Sequence, residues 1–193
     1  MTKRSNRVAI AIIGATAFTL AGCRDEQVDA QAFPDLASCT NQATQGGMFT
    51  AQDCETAISD ANALHVEAAP RYDSQAVCEE QHGVGACGSE AEASQGGSGS
   101  IFMPLMAGYL IGNMLGGGRQ GMSASQPLYK TADGKFTNAA RSSTFSGNRG
   151  ATKMSTSQFT RPATTVGKTP MSRATASSRG GFGKSAGRGS FGG

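Results

Sequence analysis

Four cysteines, at positions 39, 54, 78 and 87, limit what this chain can fold into more than any other residues do. They follow a segment built for export: the basic opening MTKRSNR, then the thirteen-residue apolar run VAIAIIGATAFTL at 8–20. That run suits a secretion signal and is too short for a bilayer core of about 30 Å, which needs roughly 20 residues. An exported chain meets an oxidising compartment. An even number of downstream cysteines there reads as two disulfides, with three pairings open. Cys39 and Cys54 flank a QGGMF turn, and Cys78 and Cys87 flank HGVGA, so pairing of near neighbours is expected. A zinc site competes poorly, since no C-x-x-C spacing occurs and His65 and His82 stand in no ligand-like spacing to the cysteines. A catalytic thiol competes less well, for no partner base is indicated, and both histidines read as solvated surface residues.

The helix signals lie among these cysteines. Thr50, with Asp53 three residues on, approximates a capping box. Cys54, Ala57, Ile58, Ala61, Leu64 and Ala68 then recur at helical spacing until Pro70 ends the run. A second, shorter helix is predicted from Asp73 or Ser74 through Cys78 to a glycine cap at Gly83. Large apolar residues are few, so a domain over 33–90 needs its disulfides as staples.

The export segment ends in LAGC, Leu20 to Cys23, which matches the lipobox of bacterial lipoproteins. On that reading residues 1–22 are removed, the Cys23 thiol takes a diacylglycerol, and 23–32 form a tether. Several acyl chains on one residue give stable anchoring where a single chain does not. Similar lipoproteins with Asp directly after the lipidated cysteine are retained at the inner membrane. Arg24 occupies that position here, which favours the outer membrane, facing the periplasm.

Charge divides the mature chain. Residues 24–99 hold 13 acidic residues against Arg24 and Arg71, and residues 100–193 hold 12 Lys and Arg against Asp133 alone. Segment 91–100 reads as a flexible linker into the apolar run 101–118, where Gly108, Gly112 and Gly116 stand four apart. At helical spacing they share one face, the small-xxx-small pattern that lets helices approach closely. The expectation is a short glycine-spaced helix that self-associates or lies against a membrane. From 119 to 193 the chain is low in complexity, and its end, RGGFGKSAGRGSFGG, looks like a nucleic-acid tail. Export makes nucleic acid an unavailable target. Anionic lipid, lipopolysaccharide phosphate or a neighbouring acidic segment is nearer to hand.

The lipobox, the stretch ISDANALHVEAAPRY among the cysteines, then MPLMAGYLIGNMLGGG and a terminal RGGFG occur in one order. That order resembles the YgiB-type family of bacterial lipoproteins, a family of unknown function. The resemblance covers most of the chain and is most specific at MPLMAGY. Members are often encoded near ATP-grasp ligases resembling glutathionylspermidine synthase. This implies an envelope setting and carries no catalytic residue onto this sequence.

The sequence thus predicts a small all-α, disulfide-stapled domain, a short glycine-spaced helix and a largely disordered remainder. It points to a non-enzymatic, lipid-anchored envelope protein without cofactors, in a structural or accessory role. The alternative is a binding module whose basic tail recruits an anionic ligand or partner. Paired carboxylates, a nucleophile with its base and a phosphate loop are all unrecognisable, since GGGR lacks the Lys-Ser/Thr ending of a P-loop.

Overall fold

The computed structural model describes residues 26–94, 99–114 and 123–179. The signal segment, Cys23, Gly116 and the RGG end therefore lie outside the described residues. The expected all-α domain is overturned: a six-stranded antiparallel sheet organises the chain, and helices pack against it.

The chain begins with β1 (Gln27–Phe33), which occupies most of the segment read as a tether. Then come α1 (Leu36–Thr44), α2 (Ala51–Ala68) and α3 (Gln75–His82). Short elements follow: β2 (Cys87–Ser89), α4 (Glu90–Ser94) and β3 (Phe102–Pro104). The rest of the main sheet is β4 (Met106–Asn113), β5 (Ser123–Lys130), β6 (Phe136–Asn138), β7 (Thr144–Phe145) and β8 (Gly150–Ser155). A 3-10 turn at Thr156–Phe159 and α5 (Arg173–Ser178) complete it. The spatial order is β7-β6-β5-β4-β1-β8, while β2 and β3 form a separate pair.

The helices start where local chemistry dictates. Asp35 caps α1 by accepting the Ser38 N–H at 2.7 Å. Thr50 and Asp53 form the full reciprocal capping box of α2, with backbone contacts of 3.2 and 2.9 Å. Gly83, at φ 97°, ends α3 in a conformation that side-chain-bearing residues avoid. Both disulfides join near neighbours: Cys39–Cys54 ties α1 to α2, and Cys78–Cys87 ties α3 to β2.

As far as Asn113 the glycine run is strand, which corrects the helix expected over 101–118 in its described part and the helix-packing role of Gly108 and Gly112. Its side chains alternate. Tyr109 and Ile111 pack with Cys54, Ala57 and Ala61 of α2, while Leu110 joins Val28, Ala30 and Met154 on the opposite face. Because both faces are covered, the run reads as continuously apolar, as buried strands do. The glycines answer local needs. Gly108 sits at a bulge with φ 143°, and a Cβ there would lie 2.6 Å from the Phe33 carbonyl oxygen. At Gly112 a Cβ would meet the Phe159 ring at 2.5 Å. The glycine makes room for an aromatic ring from the basic half.

Within 123–179 that half carries β5 to β8, the 3-10 turn and α5, which corrects the expected disorder there; 119–122 and 180–193 lie outside the described residues. β8 pairs with β1 from Gln27↔Ser155 to Ala32↔Gly150, so the acidic segment supplies the neighbour that the basic segment needs. Ion pairs join the two: Lys153–Asp29 at 3.2 Å, Arg161–Glu67 and Arg173–Glu80. The charge blocks neutralise each other within one molecule.

Candidate functional site

Buried polar groups cluster where α2 ends. Arg71, 4% exposed, pairs through Nε with Glu90 Oε1 at 2.6 Å. Its Nη2 donates to the Val66 carbonyl at 2.8 Å and Nη1 to that of Ala69 at 3.3 Å. Nη1 also donates to the Thr165 hydroxyl, which in turn donates to the Ala69 carbonyl at 2.6 Å. The carbonyls at the end of α2, left without helical partners, thus receive a guanidinium and a hydroxyl from two distant segments. Sequence alone marks Arg71 only as one of two cations in the acidic segment.

Beside it runs a directed chain of hydrogen bonds. His82 is fully buried, not solvated as its sequence context suggested. Its Nδ1 lies 2.7 Å from the Lys130 carbonyl, which only accepts, so Nδ1 carries the proton. Nε2 then accepts from the Tyr72 hydroxyl at 2.9 Å, and that hydroxyl accepts from Arg141. Burial, with help from the Arg141 charge and against the Lys130 hydrogen bond, lowers the His82 pKa to about 4. Burial raises the Tyr72 hydroxyl to about 12 even with Arg141 beside it. Tyr129 packs edge-on to His82 and shares a 3.2 Å hydrogen bond with His65, whose pKa burial also lowers.

A histidine that is harder to protonate when folded makes stability pH-dependent. The unfolded state binds the proton near pH 6.5 and the folded state only near pH 4, so stability is lost as pH falls between these values. The expected loss is about 3 kcal/mol, read as a falling urea midpoint, and His82→Gln flattens it. Asp35, Glu92 and Asp133 have carboxyl pKa values lowered by local hydrogen bonds from Ser38, Ser89 and Thr131, so their losses come at lower pH. An unchanged urea midpoint across the histidine window contradicts the assignment.

Above this cluster opens a cleft of about 810 Å³ between the end of α2, the β6–β7 turn and the segment 162–179. Arg71, Arg141, Lys168 and Arg179 line it, with Thr165, Thr169 and Thr175 between them and no carboxylate in its wall. Arg141 holds φ 57°, the one non-glycine residue at positive φ among those described. A left-handed arginine is costly and persists because its surroundings hold it, here through the Tyr72–His82 chain.

The four cysteines named from sequence are structural, and Gly108 and Gly112 belong to the sheet. Cys23 and Gly116 lie outside the described residues. Among the described residues no group of three or more His, Cys, Asp or Glu is placed to hold a metal ion, and no helix is long and apolar enough to cross a membrane.

A family model described as "Protein of unknown function (DUF1190)" matches residues 27–192. A "UPF0441 protein" of Erwinia tasmaniensis is 32% identical over 193 residues, covering 91% of this chain and 79% of the relative. A "UPF0441 protein" of Serratia proteamaculans is 33% identical over 201 residues, covering 94% and 83%. No solved structure matches the chain. The YgiB-type resemblance points to the same family. With the match running from β1 through the basic half, the chain belongs to the DUF1190 family of proteins of unknown function.

Proposed function

We propose that this protein is a lipid-anchored, non-enzymatic component of the bacterial envelope, acting as an accessory factor at the outer membrane on its periplasmic side. The observation that carries this reading is the apolar run 8–20 ending in LAGC at Cys23, with Arg24 next. Two disulfides formed by the cysteines downstream support it, because such bonds persist in oxidising compartments. Radiolabelled palmitate fed to producing cells enters the wild-type chain, which fractionates with outer membranes, and does not enter Cys23→Ser. Label in the variant overturns the anchor.

A binding role for the basic half is the second reading. The cleft favours it, because it gathers Arg141, Lys168 and Arg179 with no carboxylate in its wall.

A further inference from the structure

We propose that the cleft between the end of α2 and segment 162–179 binds a phosphate ester, with Lys168 and Arg179 as its exposed cations and Arg141 as its fixed one. This names the ligand class for the binding reading and rests on it. It does not depend on acylation at Cys23.

The first argument is where the positive charge goes. Lys135, Lys153, Arg161 and Arg173 each sit in an ion pair with Asp or Glu. Lys168 and Arg179, both exposed, have no carboxylate within salt-bridge range among the described residues, and both line the cleft. Lys130 and Arg149 also stand outside these ion pairs but line no part of this cleft, so Lys168 and Arg179 are the exposed cations that meet at it.

The second argument is preorganisation. Arg141 is anchored from behind by the Tyr72 hydroxyl, which His82 and the Lys130 carbonyl orient in turn. A guanidinium already fixed at a cleft loses less conformational freedom on binding an oxyanion. Arg71 plays a different part. It is committed to Glu90 and the α2 carbonyls, and so holds the floor together.

The third argument is the chemistry of the walls. Guanidinium and ammonium groups beside threonine hydroxyls suit a tetrahedral, multiply charged oxyanion. Pro70, Ala139, Ala140, Pro162 and Pro170 offer an apolar surface for the organic body of an ester. The volume of about 810 Å³ lies within the range of small-ligand sites.

The test uses the full chain in detergent, titrated calorimetrically with inorganic pyrophosphate. Saturable binding is expected. The double variant Lys168→Gln, Arg179→Gln should weaken it by at least about tenfold, the usual worth of a charge-assisted hydrogen bond. The double variant Lys135→Gln, Lys153→Gln removes the same charge from exposed side chains outside the cleft and should leave binding unchanged. All substituted side chains are exposed, so circular dichroism melting should match the wild type.

Absence of saturable binding, or equal weakening by the Lys135→Gln, Lys153→Gln double variant, overturns the site. A second arm competes pyrophosphate with phosphatidylethanolamine vesicles, with and without phosphatidylglycerol. Competition only by the anionic vesicles identifies the phosphate as a lipid headgroup; no competition, with pyrophosphate binding intact, identifies a soluble ester. If pyrophosphate fails to bind while the anionic vesicles still capture the chain in a salt-sensitive way, this inference falls and the broader binding reading stands.

Discussion

Arg71→Met should lower the stability of the folded chain by about 4 kcal/mol, the usual scale for breaking one side of a buried ion pair. For a chain of this size that is a fall of roughly 10 °C in Tm. The guanidinium is almost wholly enclosed and serves Glu90, Val66, Ala69 and Thr165 at once. Methionine fills a similar volume, so the loss reports unpaired polar groups more than a cavity. Arg71→Lys keeps the charge but not the fork, and should fall between the two. Calorimetric melting of the three proteins decides the matter, and a Met variant melting within about 3 °C of the wild type contradicts the role of Arg71.

Removing the disulfides should have a comparable effect. The Cys39–Cys54 bond closes a loop of sequence separation 15, worth about 3 kcal/mol in the chain-entropy account, and Cys78–Cys87 closes one of separation 9, worth about 2.5 kcal/mol. Cys39 and Cys54 belong to the cluster between α2 and the sheet, and Cys78 and Cys87 to the smaller one around Tyr72 and Met171. Urea denaturation with and without reductant measures both, and serine pairs separate them. The expected outcome is a lower midpoint for each serine pair and the largest drop on full reduction. A midpoint indifferent to reductant would contradict a stapling role.

What the sequence made legible is what local chemistry decides. The Thr50–Asp53 box, the α2 periodicity, the end of α3 at Gly83 and the pairing of near cysteines all depend on residues close in the chain. The fold class was not legible, for two physical reasons. Glycines four apart share a face in a helix and also in a strand, and the buried faces of β4 hid the alternation that separates the cases. Beyond β4 the basic half is poor in apolar residues, and β5 and β6 bury polar ones beside Leu128 and Tyr129: Gln126, Thr137 and Asn138 are at most 2% exposed. Such groups are tolerable only when partnered, as Thr137 is with the Ser143 carbonyl and Asn138 with Ser142, and such partners are invisible to composition. The cleft escaped notice similarly, since Arg71, Arg141, Lys168 and Arg179 converge only after the acidic and basic segments dock.

The place of β1 within the sheet bears on how the molecule is made. Among the described strands it is the first to be synthesised, yet it lies between β4 and β8 and pairs on one side with residues 150–155. Until the ribosome has passed Ser155, one edge of β1 has no native neighbour. Its alternating Val28, Ala30 and Ala32 likewise lack the Met154 and Phe159 that cover them. Folding is therefore a late event governed by a long loop closure, and ordering should be slow for a chain of this length. A product truncated before β8 would present a naked strand edge, the feature that invites pairing with another chain and removal by proteases. The same arrangement that lets two oppositely charged segments neutralise each other makes completion of the C-terminal half the condition for the N-terminal half to be safe.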